Sequence, residues 1–319
     1  MLDLLIIGGS AAGISSAIYA ARRNLNFQIV TKDMGGEVAL SGEVGNWPGI
    51  ISIQGYELAQ KFSEHIKSYN PKIDQGWRVT DIQPTKNYHI ITAEKIGSEQ
   101  EKKEYQAKAV VIASGIRPRY LKIPGEEEYR GKGVTYCTVC DGPLYKNKTT
   151  ATVGSGNSAL ESALMMAEIS DKVYLLSKYS NTEENNGGFP PGENILIDKV
   201  KAREKIEVIY NAITTEIIGD TFVTGLKYKD LTNEQEKTLD VKGVMVHIGQ
   251  IPNSHFTTCV ELDSGGQIIV DKKCSTSCPG IFAAGDVTDV PYNQIGIATG
   301  QGIIAGLASI EYINKWEEK

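Results

Sequence analysis

The stretch LDLLIIGGSAAGISSAIYAARR, residues 2–23, decides the fold. It opens with a short apolar run, which is typical of a strand buried on both faces of a sheet. The glycine turn Gly8–Gly13 follows, then the helix-like segment Ile14–Arg23 and a second apolar strand, Phe27–Thr31. This order is typical of a dinucleotide-binding unit, because the glycines let the backbone approach a pyrophosphate at the N-terminus of the helix.

The same unit recurs in the stretch TATVGSGNSALESALMMAEI, residues 150–169. The first glycines of the two turns are 154 − 8 = 146 residues apart, and the second strands begin 173 − 27 = 146 residues apart. A lone glycine turn is often only a tight turn with close helix packing, but two at equal offsets indicate a repeated fold unit. The first copy has Ser10 where the fingerprint usually has its second glycine, a small side chain that still leaves room for a pyrophosphate.

Length and charge exclude several classes of protein. The chain has 319 residues, enough for about two domains. Its net charge is 33 − 39 = −6, which argues against nucleic acid as the main partner, because phosphate binding needs a basic surface. The segment Leu4–Ala21 is uncharged, but its six glycines and serines and the lack of basic residues before it argue against a membrane helix or a secretory signal. We therefore expect a cytoplasmic protein with no membrane contact.

A cysteine pair supplies the candidate chemistry. Cys137 and Cys140 are three residues apart, a spacing that closes a small disulfide ring at a helix start and favours thiol–disulfide exchange. Zinc would need a second pair of ligands, and neither the other cysteines nor the four histidines show a suitable spacing. Redox exchange is the favoured interpretation, a metal site and an incidental pair are the alternatives, and we expect no metal. Asp141 follows the pair, where it either moves a proton or caps a turn.

Two further strands end in glycine turns. Lys108–Ala113 leads into Ser114-Gly115, and a short strand near the C-terminus ends in Gly285-Asp286 before a helix at Ile295–Ile310. A carboxylate at position 286 can accept hydrogen bonds from ribityl or ribose hydroxyls. The alternative is a residue that caps a turn or a helix.

In their order and spacing, these motifs resemble the low-molecular-weight thioredoxin reductases, class II of the FAD-dependent pyridine nucleotide-disulfide oxidoreductases. The resemblance covers nearly the whole chain. The shared motifs are Gly8–Gly13, Gly35-Gly36, Asn46–Gly49, Ala113–Gly115, Cys137–Gly142, the turn from Gly154, Gly285-Asp286 and Gln294. The flavoprotein component of alkyl hydroperoxide reductases shares most of them but has an added N-terminal redox domain, which we do not expect here because the sequence starts at the first strand.

The resemblance implies an α/β fold with two three-layered, Rossmann-like dinucleotide-binding domains. The FAD-binding domain would be discontinuous, comprising residues 1–115 and 245–319, and residues 116–244 would form an NAD(P)-type domain that carries the cysteine pair. The expected protein is a homodimer that passes electrons from a nicotinamide through FAD to the pair, and from there to thioredoxin or a thioredoxin-like protein. By resemblance, Cys140 faces the flavin, Cys137 attacks the disulfide of the partner, and Asp141 is the acid.

The resemblance also implies the cofactor-binding residues. Those expected to hold FAD come from the first turn and the later motifs: Gly8, Ser10, Ala11, Gly13, Gly36, Glu37, Asn46, Ala113, Gly115, Gly285, Asp286 and Gln294. Those expected at the nicotinamide dinucleotide, NADPH or NADH, come from the second unit: Gly154, Gly156, Asn157, Ser158 and Lys178.

The second nucleotide site departs from the family pattern. NADPH-specific members carry a His-Arg-Arg cluster and another arginine four residues on, because a guanidinium fork matches a 2′-phosphate. Here the equivalent stretch is Ser177-Lys178-Tyr179, the later position is Glu183, and no acid ends the strand as an NADH site would require. The loop at 181–192 has the composition of a flexible, exposed segment, which is either a simple insertion or a cover over the nicotinamide site.

Three functions follow from these observations. The first is a thioredoxin reductase that uses NADPH or NADH through unusual contacts. The second is a flavin disulfide reductase of the same fold with another donor, such as ferredoxin, or a related dithiol oxidase that passes electrons to oxygen. The third is a nucleotide-binding protein without turnover, which the intact cysteine pair disfavours, because a binding module has no need of a dithiol beside a flavin.

Overall fold

The structure, a computed structural model, describes residues 1–41 and 43–317. Gly42, Glu318 and Lys319 lie outside the described part, as do the side chains of Glu43, Glu99 and Cys140. The chain divides into two compact units: unit 1 consists of Met1–Arg117 and Ile251–Lys319, and unit 2 of Pro118–Gln250. Unit 1 is therefore assembled from two separate stretches of sequence.

Strands and helices alternate along much of the described chain. The strands are β1 (Leu2–Gly9), β2 (Phe27–Met34), β3 (Glu43–Val44), β4 (Ile53–Gln54), β5 (Lys72–Gln75), β6 (Trp77–Pro84), β7 (His89–Lys95), β8 (Ser98–Ile112), β9 (Ile116–Pro118), β10 (Val134–Thr135), β11 (Thr149–Val153), β12 (Lys172–Leu176), β13 (Ile206–Ile209), β14 (Ala212–Gly219), β15 (Val223–Asp230), β16 (Glu236–Asp240), β17 (Gly243–Val246), β18 (Gln250–Pro252) and β19 (Ile281–Ala283). The α-helices are α1 (Ala11–Arg22), α2 (Gly36–Leu40), α3 (Gly55–Lys67), α4 (Thr138–Asp141), α5 (Asn157–Ile169), α6 (Asn194–Lys201) and α7 (Ile295–Asn314).

Unit 1 is built on a mixed sheet in which β5, β2, β1 and β8 lie side by side and β7 and β6 continue from β8. The strand β8 serves two roles along its length. Its first part pairs antiparallel with β7, and its last residues pair parallel with β1 on one side and with β19 on the other. The carboxyl ends of β1, β8 and β19 therefore meet at one edge of the sheet.

The central strands of unit 1 are buried on both faces. Leu5 and Ile7 of β1 belong to one hydrophobic cluster, and Leu4 and Ile6 belong to a second cluster that includes residues of α1 and α7. Because successive side chains of a strand point to opposite faces, one apolar run supplies both clusters. This explains why the sequence of β1 does not alternate between apolar and polar residues.

Unit 2 consists of three layers. Its parallel sheet has the order β10-β17-β11-β12-β13, and β14, β15 and β16 form a separate antiparallel sheet. One face of the parallel sheet packs against the antiparallel sheet, where Val153 and Val244 share a cluster with Leu226. The other face packs against α5 and α6, where Val173 shares a cluster with Leu160. The predicted α/β class is confirmed in both units.

The uncharged segment at residues 4–21 forms β1 and most of α1. Among the described residues, no helix combines the length and the apolar character needed to cross a membrane.

The helices α1 and α7 approach each other closely at Gly302. A Cβ atom built there would lie 2.2 Å from the carbonyl oxygen of Ala12, and the hydroxyl of Ser16 donates a hydrogen bond of 2.7 Å to the carbonyl of Gly302. A methyl group at this position must therefore push the two helices apart, because it would overlap with backbone atoms of α1, which cannot move without shifting the helix.

We expect Gly302→Ala to lower the free energy of unfolding by about 1–3 kcal/mol, since overpacking forces a backbone shift. Gly296→Ala, in the first turn of the same helix, is the matched control because no atom lies within 4 Å of the added Cβ position. The control should be neutral or stabilise the protein by up to about 1 kcal/mol. Urea unfolding of the two variants measures the difference, and equal effects would contradict the close approach of α1 and α7.

Candidate active site

The first glycine turn joins β1 to α1 at the carboxyl edge of the unit 1 sheet. Gly8 has a φ of 116°, and a Cβ atom there would lie 2.2 Å from the carbonyl oxygen of Ala113; a Cβ atom at Gly13 would lie 2.0 Å from the carbonyl oxygen of Gly8. Ser10 precedes α1 but does not cap it, since its hydroxyl donates to the carbonyl of Gly35 at 2.5 Å. The leading N–H groups of α1 therefore keep their capacity to bind an anion such as a pyrophosphate.

Gly285 and Asp286 follow β19 at the same edge. A Cβ atom at Gly285 would lie 3.1 Å from the Cβ of Ala12, so this turn lies against the start of α1. Asp286 is half-buried, and burial raises its pKa to about 6. Among the described residues, none donates a hydrogen bond to this carboxylate. A desolvated carboxylate without a protein partner fits the predicted contact with the hydroxyl groups of a bound cofactor.

Asp33 is a candidate that sequence reasoning missed. It lies near the end of β2, 33 − 13 = 20 residues after Gly13, where dinucleotide folds carry the acid that binds a ribose. Its Oδ1 accepts the N–H of Gly36 at 3.0 Å, so the carboxylate is fixed beside the Gly35-Gly36 turn. Counting about 20 positions from the glycine turn would have identified it.

The remaining residues predicted for FAD all lie in unit 1. The side-chain amide of Asn46 donates to Oε1 of Gln294 at 3.0 Å, which brings together two motifs that are 294 − 46 = 248 residues apart. The turn at Gly115 is held by Asn253, whose N–H donates to the Gly115 carbonyl at 3.0 Å. Glu37 is exposed in the first turn of α2. Three features together fit FAD: the open helix start, the position of Asp33, and the carboxylate of Asp286, to which no described residue donates a hydrogen bond.

The cysteine pair lies in unit 2. Cys137 directly precedes α4 and is disulfide-bonded, whereas Cys259, Cys274 and Cys278 are free thiols. Cys140 lies in α4, but its side chain is outside the described part of the structure. Its predicted pairing with Cys137 and its position facing the flavin therefore stay predictions.

Thr135 ties Asp141 to the backbone of Cys137. The Thr135 hydroxyl donates to Oδ2 of Asp141 at 2.5 Å and accepts the N–H of Cys137 at 3.1 Å. The N–H of Asp141 in turn donates to the carbonyl of Cys137 at 3.1 Å. One hydroxyl thus fixes the carboxylate relative to the turn that carries the disulfide.

His247 holds the other side of α4 and was also missed from the sequence. Its Nε2 lies 2.7 Å from the hydroxyl of Thr138, which lies 2.6 Å from the hydroxyl of Ser162 on α5. Burial lowers the pKa of His247 to about 4, so the ring is neutral at pH 7 and one nitrogen can accept a hydrogen bond from the hydroxyl of Thr138. No local signal reveals this contact, because 247 − 138 = 109 residues separate the two partners.

The second glycine turn leads into α5. Gly154 has a φ of 147°, and a Cβ atom there would lie 2.1 Å from the carbonyl oxygen of His247. Asn157 and Ser158 begin the helix, and Ser158 is exposed. The exposed Lys178 has its ammonium 5.1 Å from the ring centroid of Tyr179.

The loop at 181–192 is only partly as predicted. Its first four residues, Asn181–Glu184, are exposed, but Gly188 and Phe189 are buried. Phe189 is buried because it belongs to the cluster beneath α5 and α6. Within the described residues, no group of three or more His, Cys, Asp or Glu side chains is arranged to hold a metal ion.

We expect Asp286→Asn to raise the free energy of unfolding of the flavin-free protein by about 1–3 kcal/mol at pH 8, because burial disfavours the charged carboxylate. The folded-state pKa is raised, so the stability from the protonated form is present below about pH 4 and is lost as the pH rises through about 6. The gain should therefore disappear near pH 4, while the affinity for FAD should fall at pH 8. Urea unfolding at the two pH values and a fluorescence titration with FAD test this, and a variant with unchanged stability and FAD affinity at pH 8 would contradict it.

The chain matches the pyridine nucleotide-disulphide oxidoreductase family over residues 2–302. It is 39% identical over 316 residues to an alkyl hydroperoxide reductase component of Pseudomonas aeruginosa, a match that covers 98% of this chain and 58% of that protein. The chain thus spans somewhat more than half the length of this relative.

Two solved structures cover the chain almost completely. A thioredoxin reductase from Streptococcus pyogenes is 33% identical with a TM-score of 0.80, and the match covers 98% of each chain. A ferredoxin-flavin thioredoxin reductase from Clostridium acetobutylicum is 29% identical with a TM-score of 0.52, again over 98% of each chain.

These matches confirm the resemblance to the low-molecular-weight thioredoxin reductases and the fold of two Rossmann-like units. The family implies FAD as the cofactor, NAD(P)H as the electron donor, and oxidoreductase chemistry on a disulfide. With its glycine turns, its oxidised Cys137 and a match along most of its length, the chain belongs to the pyridine nucleotide-disulphide oxidoreductase family.

Proposed function

We propose that this chain is a flavin-dependent disulfide reductase that transfers electrons through a Cys137–Cys140 dithiol to thioredoxin or a thioredoxin-like protein. The observation that carries the proposal is the disulfide-bonded Cys137, which lies directly before α4 in a turn fixed by Thr135 and Asp141. An oxidised cysteine with a second cysteine three residues on is suited to exchange, because the small disulfide ring can open and close again.

FAD, when bound, supplies the two electrons that reduce the disulfide. The first glycine turn would hold its pyrophosphate on the N–H groups of α1, and Asp33 would bind the ribose. Asp286 would accept hydrogen bonds from the ribityl chain, which satisfies its buried carboxylate.

The exchange step balances without any other reactant. The Cys137 thiol gives its proton to Asp141 and attacks the disulfide of the partner as the thiolate, and the partner sulfur that leaves takes up that proton. The Cys140 thiol then attacks the sulfur of Cys137, and its proton passes to the second partner sulfur as that sulfur leaves, which restores the ring and releases the partner as a dithiol. Two electrons and two protons pass to the partner, and Asp141 is the group that relays the proton.

Two hydrogen-bond networks orient the reacting turn. Thr135 holds the carboxylate of Asp141, and His247 together with Ser162 holds the hydroxyl of Thr138 at the first position of α4. Because the ring of His247 is neutral at pH 7, it adds no positive charge next to the dithiol. We assign His247 and Thr138 a positioning role.

The disulfide partner has two candidates. A solved structure named a thioredoxin reductase covers 98% of the chain, which favours a thioredoxin-like partner. The 39% identity to a component of an alkyl hydroperoxide reductase supports the protein partner of that enzyme as the second candidate. The homodimer and the cytoplasmic location stay predictions.

We expect Cys137→Ser and Cys140→Ser each to lower the rate of thioredoxin reduction by at least about 100-fold, because each removes one half of the exchange. The protein is reduced with dithionite, desalted without oxygen and mixed with oxidised thioredoxin, so the result does not depend on the natural donor. Counting the new thiols of thioredoxin gives the rate. Before reduction, the visible flavin absorption of each variant should equal that of the wild type.

Cys259→Ser is the matched control, because Cys259 is a free thiol in unit 1, and it should keep the full rate. Undiminished reduction in both Cys137→Ser and Cys140→Ser would rule out the dithiol pathway. Reduction of the alkyl hydroperoxide reductase partner in place of thioredoxin would favour the second candidate.

A further inference from the structure

We infer that residues Asn186–Glu193, called here the plug segment, fill the dinucleotide cradle of unit 2 and exclude NADPH and NADH from it. The segment would thus determine the electron donor, which must be a reductant that needs no dinucleotide site. The inference deepens the proposed function, since it concerns how electrons enter the same enzyme.

A dinucleotide needs an open glycine turn. Its pyrophosphate must approach the backbone between the first strand and the helix, at the place where the fingerprint has its second glycine. In unit 2 that residue is Gly156, and a Cβ atom built there would lie 3.7 Å from Cγ of Pro191. The ring of Pro191 therefore lies close to the turn, on the approach that a pyrophosphate would use.

Glu193 is bound to the first residue of α5. The side-chain amide of Asn157 donates to Oε1 of Glu193 at 2.8 Å, and the N–H of Glu193 donates to Oδ1 of Asn157 at 2.8 Å. A carboxylate is thus held beside the start of the helix, where the helix dipole attracts an anion. A phosphate would have to break both hydrogen bonds and would meet a negative charge.

Among the described residues of unit 1, no such contact is made at the equivalent position. Asn157 corresponds to 157 − 146 = 11, which is Ala11, a residue without a polar side chain. The two turns share their first glycine, Gly8 and Gly154, and their place between strand and helix. The residue equivalent to Gly156 is Ser10, whose hydroxyl is bound to the carbonyl of Gly35, so the two turns differ in the segment that contacts them. This contrast explains why the FAD turn remains able to bind a pyrophosphate and the second turn does not.

The plug segment is anchored as part of the core of unit 2. Phe189 has 0% of its surface exposed, and its ring centroid lies 6.0 Å from that of Tyr210 in an edge-to-face contact. The hydroxyl of Ser177 donates to the carbonyl of Gly188 at 2.5 Å, so the strand end that would meet the nucleotide ribose is bound to the segment instead.

The same segment is closed on itself and on α5. The side-chain amide of Asn186 donates to the carbonyl of Gly192 at 2.9 Å. A Cβ atom at Gly192 would lie 2.8 Å from Cδ1 of Leu160, which shows how closely the segment packs on the helix. Because the plug segment is packed in this way, it is a fixed element. Its exclusion of NADPH and NADH therefore does not depend on the movement of a lid.

Nucleotide binding to the FAD-loaded protein tests the inference directly. Isothermal titration with NADPH and with NADH should give a Kd above about 1 mM for the wild type. Deletion of the segment is unsuitable, because it would remove the buried Phe189 and unfold unit 2. The double variant Pro191→Ala/Glu193→Ala keeps Phe189, and it should bind at least one nucleotide about tenfold or more tightly.

Glu193→Gln is the conservative variant. It removes the charge, keeps the side-chain shape and should show a smaller gain in nucleotide affinity. Glu184→Ala is the matched control, because Glu184 lies in the exposed first half of the loop, and it should leave the affinity at the wild-type value. Thermal unfolding of each variant establishes that it is folded.

A wild-type Kd in the micromolar range for either nucleotide would overturn the inference. So would a double variant that is folded but gains no affinity, since something other than the segment would then exclude the nucleotide. Neither result affects the dithionite-driven reduction of thioredoxin. If the protein reduces thioredoxin and also binds NADPH tightly, the inference is wrong and the proposed function stands. If it neither reduces thioredoxin nor binds NADPH, the proposed function alone is wrong.

Discussion

Each unit depends on a contact of the same kind within itself. A glycine at the end of the strand before the glycine turn, β1 or β11, lies against a backbone carbonyl at the end of the neighbouring parallel strand. In unit 1 the contact joins Gly8 to Ala113, and in unit 2 it joins Gly154 to His247, with spacings of 2.2 Å and 2.1 Å from the ideal Cβ positions. No side chain fits into either gap, and both glycines have the positive φ that other residues avoid. The contact turns the chain from strand to helix at the edge of the sheet where ligands of such folds bind.

The contact in unit 2 also links the glycine turn to the dithiol. The carbonyl of His247 lies against Gly154, and the ring of the same residue lies 2.7 Å from the hydroxyl of Thr138. A shift of the turn would therefore move His247 and, through its hydrogen bond to Thr138, displace α4, which begins directly after Cys137. The nucleotide-type turn is therefore part of the structure that positions the redox centre.

The sequence was sufficient for the parts of the fold that depend on neighbours along the chain. The apolar runs and glycines placed β1, β11 and the helices after them, although α1 begins at Ala11 and not at Ile14, because the residues of the turn already adopt helical geometry. The strand predicted at 108–113 is the end of the longer β8, whose charged first part hides its pairing with β7. The contact of His247 with Thr138 and the contact of Asn157, expected at the nicotinamide dinucleotide, with Glu193 could not be predicted, because the partners are 109 and 36 residues apart.

The burial of Phe189 has an evolutionary consequence. Removing a fully buried phenylalanine typically costs about 3–5 kcal/mol, a large share of the roughly 5–15 kcal/mol that keeps a domain folded. A descendant of this chain that discarded the segment would thus lose stability before it gained any new ligand. Selection for a folded unit 2 therefore preserves the segment independently of its effect on nucleotide binding.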